Sequence, residues 1–273
     1  GAEQLWRDVK FRVGLAMHHD DWRHRADIPL RRELKAQRAA HLQGPKISII
    51  VPLYNTPAKL FDEMLQSVVR QTYTNWELVL VDASDADKRL EHRLPKAVPG
   101  TIVYEPIENG GIALNTTRGF ALAHGEYITL LDHDDVLYPN ALFEVVQTIQ
   151  NTGADFVYSD EIVLSADLKE LGGYHFKPDF APDYLRGVNF ITHLAVFSRP
   201  LLDAAGAYES KEFDGAQDHD LFLRLIDAMQ AKDANAAPLH IPQVLYYWRV
   251  HAASTSGGTA AKPYVEKAAQ KAV

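Results

Sequence analysis

Short apolar runs alternate with amphipathic segments along most of the chain. Lys46–Leu53 and Trp76–Val81 are apolar runs of strand length, and the first is rich in β-branched residues. Pro57–Gln71 instead has its apolar residues at helical spacing. The alternation continues with strands predicted at Thr101–Glu105, Glu126–Leu131 and Asp155–Tyr158 and helices at Gly111–Ala123 and Asn140–Gln150. Buried strands that alternate with helices predict an α/β fold with a mostly parallel sheet flanked by helices.

The second half of the chain has a less regular pattern. It predicts a hairpin at Ile162–Tyr174, a strand at Leu194–Ser198, a helix at His219–Met229 and a strand at Gln243–Val250. Ligands of α/β sheets bind beyond the carboxyl ends of the strands, so polar residues at those ends are the first candidates for a site.

The two ends of the chain differ from this sheet-forming part, residues 45–254. Residues 1–44 predict an N-terminal helical arm, with an amphipathic segment, a polar stretch and a short helix near Leu30–Leu42. Residues 255–273 predict a loop and a helix that stops without a C-cap. Because the first residue is Gly rather than Met, we expect the chain to be one part of a longer protein.

Composition narrows the chemistry. The chain has 273 residues, a formal net charge of -8 and no cysteine, which excludes disulfides, zinc-thiolate sites and thiol nucleophiles. The negative charge argues against a nucleic-acid partner. No apolar run of this sequence approaches the ~20 residues that cross a bilayer, and we expect no signal peptide.

Three carboxylates follow the predicted strand Glu126–Leu131, in the order Asp132, His133, Asp134, Asp135. Acids this close repel one another, and a divalent cation relieves that repulsion. The cluster therefore predicts a site for Mg²⁺ or Mn²⁺ together with a diphosphate. A solvated turn, with Asp135 at a helix N-terminus, is the structural alternative.

Several motifs in a fixed order resemble one enzyme family. The motifs are ISIIVPLYNT at Ile47–Thr56, LVLVDAS around Asp82, NGGIALN at Asn109–Asn115, GEYITLLDHDD before Val136, YSDE at Tyr158–Glu161, FKPDF at Phe176–Phe180, GAQDHDLFLR at Gly215–Arg224 and LYYWRVHAAS at Leu245–Ser254. Over residues 46 to 254 the chain resembles the inverting glycosyltransferases of family 2, within their bacterial O-antigen and capsule branch. The resemblance implies a GT-A, Rossmann-like fold with a nucleotide-sugar half at about 46–150 and an acceptor half at about 151–254.

The resemblance also implies which residues hold the nucleotide sugar. Pro52, Tyr54 and Asn55 match the loop that contacts the base and ribose, and Asp82 matches the acid that reads the base. Ala83 follows it where many members have a second Asp, so the identity of the base stays open. The remaining donor-binding candidates are Asn109, Gly111, Asp132 and His133. A tight turn into a helix explains the glycines of that loop as well.

Metal and catalytic roles follow from the same resemblance. Asp134 matches the direct ligand of Mn²⁺ or Mg²⁺, and His251 matches a histidine that completes the metal or pyrophosphate site. Asp218 matches the catalytic base. An N-cap is the alternative for Asp218, and Asp220 competes with it in the same turn.

A further group of residues is predicted to line the sugar or acceptor pocket: Asp160, Glu161, Gln217, Trp248 and Arg249. Aromatic rings stack on sugar faces, and arginine pairs with phosphate. A solvated turn is the alternative for the two acids.

Other polar residues leave two interpretations open. His193 faces the acceptor or is a hydrogen-bonded core histidine, and Arg118 reaches the donor or forms a surface salt bridge. The run His18-His19-Asp20-Asp21 has metal-ligand composition but also suits a solvated arm.

These observations predict an enzyme that transfers a sugar from a nucleotide-diphosphate donor to a saccharide or lipid-linked saccharide acceptor, with inversion, in bacterial surface polysaccharide synthesis. We expect a cytoplasmic location, peripheral to the inner face of the membrane, and other domains of a longer polypeptide as partners. A non-catalytic saccharide-binding scaffold domain and a sugar nucleotidyltransferase are the alternatives. The loop Pro52–Pro57 lacks the glycines and basic residues that the latter uses to hold a triphosphate.

Overall fold

The computed structural model of the chain describes residues 31–208 and 210–250. Its helices are α1 (Arg31–Ala40), α2 (Ala58–Val69), α3 (Ile112–Leu122), α4 (Ala141–Thr152), α5 (Pro182–Gly187), α6 (Arg199–Ala205) and α7 (Gln217–Gln230). Its strands are β1 (Ile47–Leu53), β2 (Trp76–Asp82), β3 (Thr101–Pro106), β4 (Tyr127–Leu130), β5 (Val136–Leu137), β6 (Phe156–Ser165), β7 (Leu171–His175), β8 (Ala195–Ser198) and β9 (Leu239–Val250).

The strands in these residues form one nine-stranded sheet in the order β3-β2-β1-β4-β8-β6-β9-β5, with β7 paired to β6. The four strands from β3 to β4 are parallel, as the alternation of strands and helices predicts. From β8 onward the sheet is mixed, because β8 runs antiparallel to both of its neighbours while β9 is parallel to β6. The α/β class is confirmed, and the run of four strands that are all parallel lies in the first half.

Helices cover both faces of the sheet, which explains why β1 and β2 are continuous apolar runs. One core lies between the sheet and α2 and α4, and it includes Phe61, Leu65 and Val146. The other lies beneath α3, α6 and α7, and it includes Phe120, Leu202 and Leu225. A sheet held between two cores supplies a rigid base for the loops at its strand ends.

Two strands are longer than their sequence pattern predicts. β6 continues to Ser165, because its outer half pairs with β7 in the expected hairpin. β9 begins at Leu239 rather than Gln243. Pro242, which usually ends a strand, falls where the pairing with β6 shifts register between Ile241 and Val244. A proline is tolerated at such a bulge because no ladder hydrogen bond is lost.

Part of the predicted N-terminal arm is described as helix α1, which is docked to the sheet domain. The side chain of Gln37 donates to Glu144 of α4 at 2.9 Å and accepts from the hydroxyl of Thr72 at 2.9 Å. The His18-His19-Asp20-Asp21 run, His251 and the predicted segment 255–273 lie outside the described residues. None of the helices in residues 31–208 and 210–250 has the length and apolar character needed to span a bilayer.

Candidate functional site

A pocket opens beyond the carboxyl ends of β1 and β4, where the two halves of the sheet meet. The first half contributes Pro52, Ile112, Thr116, Leu130 and Asp132, and the second half contributes Thr192, His193, Ala195, Gln217, Asp218 and Phe222. The structure therefore brings together four of the predicted site residues: Pro52, Asp132, Gln217 and Asp218. This is the position at which α/β sheets bind ligands.

The loop after β1 is hydrogen-bonded to the loop after β2. The backbone N–H of Asn55 donates to Ser84 Oγ at 2.8 Å, and Asn55 Oδ1 accepts from the N–H of Asp85 at 3.1 Å. Asn55 has a φ of 48°, a left-handed conformation that asparagine tolerates better than most residues. The turn leaves Tyr54 half-exposed, so its ring is available to a planar ligand group.

Asp82 ends β2 and is buried beneath these loops. One of its carboxylate oxygens accepts from the N–H of Ser84 at 2.9 Å, and the other accepts from the hydroxyl of Tyr104 at 2.6 Å. These bonds fix the loop that holds Asn55. Recognition of a base by Asp82 stays a prediction.

The glycine-rich loop before α3 contacts the loop that leads into α7. Asn109 Oδ1 accepts from the N–H of Gly111 at 2.9 Å, and Asp214 Oδ1 accepts from the N–H of Ala113 at 3.0 Å. Gly111 has a φ of 92°, and a Cβ there would lie 2.4 Å from Asp214 Oδ2. The backbone angle favours glycine, and a Cβ there would also force the Asp214 carboxylate to shift. Asn109 and Gly111 lie beside the pocket, whereas Ile112 lines it.

The three acids after β4 have different surroundings. Asp135 is buried, and its oxygens accept from the N–H of Arg249 and the hydroxyl of Tyr246, both at 2.7 Å. Burial raises the pKa of Asp135 well above its ordinary value, and the nearby charges of Asp134 and Asp132 add to this effect. Asp132 instead has a side chain that is 51% exposed to the cleft.

Asp132, Asp135 and His193 are a group that could hold a divalent cation, because one ligand atom from each lies within 4.8 Å of the others. Both oxygens of Asp135 are already engaged, so Asp132 is the more accessible carboxylate of the group. Asp134 is partly exposed in the same loop, and His133 contacts the carbonyl of Pro52 at 3.4 Å.

His193 precedes β8 and lies between two carboxylates. Its Nδ1 is 3.1 Å from Glu161 Oε2, and its Nε2 is 3.6 Å from Asp132 Oδ2. Burial opposes its charged form, but the two carboxylates outweigh burial and raise the pKa of His193 well above the ordinary value. The ring stacks on Tyr246 at 4.6 Å between centroids. It therefore lines the pocket and is also hydrogen-bonded on its inner side. Contact of His193 with an acceptor stays a prediction.

Asp218 lies in the first turn of α7 and lines the pocket from the second half of the chain. The residue that caps α7 is Ala216, so the N-cap alternative for Asp218 is wrong. Its competitor Asp220 is buried and pairs with Arg224 at 2.9 Å. Burial raises the pKa of Asp218, while the charge of His193 and the N–H of His219 oppose the rise. Of the two acids, only Asp218 lines the pocket.

The predicted pocket acids Asp160 and Glu161 are both buried in β6, so the solvated-turn alternative is wrong. Asp160 Oδ1 accepts from the N–H of Lys177 and from His240 Nε2, both at 2.8 Å. Glu161 accepts from the N–H of His193 at 2.7 Å. These acids support the wall of the pocket from behind.

The two predicted residues of β9 have separate surroundings. The ring of Trp248 lies 5.8 Å from that of His193, which puts it beside the pocket. Arg249 does not line the pocket, and this prediction was wrong. Its side chain is fully buried and pairs with Glu63 of α2, because adjacent residues of a strand point to opposite faces.

Arg118 forms the surface salt bridge that was its alternative, with Glu105 at 2.6 Å.

Sequence reasoning did not identify Lys177, although it lies within the FKPDF motif. The available signal was the position of Lys177 just after the predicted hairpin, between Phe176 and Phe180. A lysine that is buried in such a place needs a partner for its charge.

Comparison with known proteins agrees with this geometry. The family described as Glycosyl transferase family 2 matches residues 48–198. The O-antigen biosynthesis protein RfbC of Myxococcus xanthus is 32% identical over 84% of this chain and 18% of its own length. An uncharacterised protein of Sinorhizobium fredii, y4gI, is 39% identical over 84% of this chain and 25% of its own. The chain thus spans a quarter or less of the length of these curated relatives.

Solved structures give the same fold. TarS 1–349 of S. aureus in complex with UDP aligns with a TM-score of 0.59 at 22% identity, over 75% of this chain and 60% of TarS. The complex of the same protein with UDP-GlcNAc aligns with a TM-score of 0.61 at 19% identity, over 78% and 61%.

Fold and pocket together define an α/β transferase domain of the GT-A type. The chain belongs to glycosyl transferase family 2.

Proposed function

We propose that this domain transfers a sugar from a nucleoside-diphosphate donor to a hydroxyl of a saccharide acceptor, with inversion at the anomeric carbon. The observation that carries the proposal is the convergence of Asp132 and Asp218 on one pocket from different halves of the sheet. An inverting transfer needs the leaving group on one side of the sugar and a base on the other. Two pocket carboxylates contributed by different halves of the chain suit that requirement.

Asp218 is the proposed base. It takes the proton of the acceptor hydroxyl as the oxygen attacks the anomeric carbon, while the bond from that carbon to the donor's phosphate oxygen breaks. Burial raises the pKa of Asp218, which makes its carboxylate a stronger base. Gln217 lines the pocket next to it and accepts from the N–H of Gly215 at 2.8 Å, which steadies this turn.

Mn²⁺ or Mg²⁺ is the proposed cofactor, with Asp134 and His251 as ligands and Asp132 beside them. The donor set fits a hard cation, since carboxylate oxygens cluster after β4 and Asp132 is open to the cleft. A cation there supplies Lewis-acid stabilisation of the charge on the diphosphate.

The first half of the sheet is the proposed nucleotide site. The proposed donor contacts lie on loops at the carboxyl ends of its strands and are Pro52, Tyr54, Asn55, Asp82, Asn109 and Gly111. We propose uridine as the base, because the similar TarS structures contain UDP and UDP-GlcNAc. The second half, from about residue 151, is the proposed acceptor half, with Trp248 as a stacking surface for a sugar ring.

The likeness to RfbC supports a role in the synthesis of a bacterial surface polysaccharide such as an O-antigen. The acceptor is then a saccharide or a lipid-linked saccharide, and the domain works within a longer protein. A cytoplasmic location at the inner face of the membrane stays a prediction.

Hydrolysis of sugar nucleotides by the 273-residue chain tests this function, since water replaces the acceptor in a slow side reaction. We expect release of a nucleoside diphosphate from one donor of a panel with Mn²⁺, little release with EDTA, and loss of release in Asp218→Asn. Asp227→Asn is the matched control, because Asp227 is exposed on the same helix. A folded chain that cleaves no donor contradicts catalysis and favours a scaffold domain.

A further inference from the structure

The FKPDF motif has no role in the mechanism above, yet it places a buried lysine behind the pocket. The side chain of Lys177 is only 3% exposed. Its Nζ donates to the carbonyl of Ile191 at 3.0 Å and to that of His193 at 2.5 Å, and lies 3.7 Å from Glu161 Oε2. Burying a lysine is costly, and the pKa of Lys177 falls to about 8 because of that burial.

The contacts of Lys177 and Glu161 converge on a single residue. Glu161 accepts from the backbone N–H of His193 at 2.7 Å and contacts its Nδ1 at 3.1 Å. Lys177 holds the carbonyl of the same residue. Two buried side chains of opposite charge, Glu161 and Lys177, thus engage the backbone N–H, the backbone carbonyl and the Nδ1 of His193. The remaining nitrogen, Nε2, faces the pocket at 3.6 Å from Asp132.

The rest of the motif anchors this pair. The N–H of Lys177 donates to Asp160, and the carbonyl of Pro178 accepts from the hydroxyl of Tyr158 at 2.7 Å. The motif is therefore tied to β6 on both sides of the lysine. A segment fixed in this way can hold the 191–193 turn in place, since that turn has no helix or strand of its own.

We propose that Lys177 is a positioning residue that acts, with Glu161, through His193, and that His193 Nε2 contacts a sugar hydroxyl between Asp132 and Asp218. This inference rests on the proposed sugar transfer. It adds a polar contact in the pocket that the acidic motifs do not supply. A misplacement of about 1 Å in such a contact lowers a rate by on the order of 10²-fold.

A double-mutant cycle on donor hydrolysis tests the coupling. We expect Lys177→Met to lower kcat by roughly 10- to 100-fold and to change the donor KM by less than about twofold, because the nucleotide contacts belong to the other half of the sheet. In a His193→Ala background, Lys177→Met should cost no more than about a further twofold. Lys169→Met is the matched control, because Lys169 is exposed on the turn that joins β6 to β7.

Losses that multiply in the double variant overturn the proposal, because a merely structural lysine acts independently of His193. If Lys177→Met does not fold, Glu161→Gln enters the same cycle with the same expectation. The ring-nitrogen NMR shifts of His193 give a readout without turnover: they should move in Lys177→Met, with those of exposed His92 as reference. Unchanged His193 shifts contradict the positioning role even if no donor is cleaved, whereas changed shifts with no cleavage contradict only the proposed function.

Discussion

Two carboxylates in the first turn of α7, Asp218 and Asp220, have opposite environments. Asp220 is buried and is held by Arg224 at 2.9 Å. Asp218 lines the pocket. Within the described residues, its side chain accepts a hydrogen bond only from the N–H of the neighbouring His219. A residue that is left open to a pocket despite a burial cost is the better candidate for chemistry.

This contrast predicts different consequences for the same substitution. Asp218→Asn should lower turnover by about 10²- to 10⁴-fold with little change in stability, because a general base contributes that much to the rate. Asp220→Asn should keep more of the activity but lower the free energy of unfolding by about 1–3 kcal/mol, since Arg224 loses its charged partner. Turnover and urea unfolding of both variants check this. Equal stability losses in the two variants would remove the distinction.

The raised pKa of Asp218 predicts a shift in the pH profile. The base must be deprotonated, so activity falls as the pH drops through its pKa. Because burial raises that pKa above the ordinary 3.8, the acid limb of kcat/KM should lie at a higher pH than an exposed aspartate would give. The measurement is kcat/KM for the donor from about pH 4 to pH 8, and a profile flat to the acid end would contradict the role of Asp218.

At the scale of elements, the loop before α3 and the loop before α7 are held together at Gly111. The φ of 92° strains any residue other than glycine, and a Cβ would force the Asp214 carboxylate, which accepts from the N–H of Ala113, to shift. Gly111→Ala should therefore lower the free energy of unfolding by about 1–3 kcal/mol, and it should also reduce donor hydrolysis by displacing the turn before Asp218. Gly153→Ala is the control, because Gly153 has a φ of 70° but open space around it. A cost for Gly111→Ala no larger than that for Gly153→Ala would show that Asp214 does not constrain this loop.

The elements of the first half were predictable from sequence because local pattern decided them. β1 and β2 are continuous apolar runs, and the predicted Pro57–Gln71 helix is present as α2 at Ala58–Val69. The second half depends on distant pairing instead. The entry of β9 at Leu239, across Pro242, depends on a bulge against β6 that no local signal reveals.

The same contrast holds for the site, where residues in local motifs were predictable and residues placed by distant contacts were not. Asp132 and Asp218 were predictable because each lies in a motif of the family. The roles of Arg249 and His193 were not, because they depend on which face of a strand a residue occupies and on the buried partners Glu161 and Lys177. Sequence spacing carries little information about such long-range contacts.

At the scale of the whole molecule, the pocket lies at the point where the sheet changes from parallel to mixed. β4 is parallel to β1 and antiparallel to β8, and the pocket residues Asp132 and His193 flank these two strands. The parallel half is the proposed donor site and the mixed half the proposed acceptor site, and in this proposal one sheet aligns the two substrates.

The central claim is that the cleft binds a nucleoside diphosphate with the help of a divalent cation held after β4. Calorimetric titration of UDP into the 273-residue chain, with Mn²⁺ and then with EDTA, tests it most directly. We predict binding that weakens by about tenfold or more without metal, which is about 1.4 kcal/mol, and that weakens likewise in Asp134→Ala. The control is Asp183→Ala, because the Asp183 side chain is 95% exposed on α5. Equal binding with Mn²⁺ and EDTA, or no binding of UDP or any other nucleoside diphosphate by the folded chain, would contradict the claim.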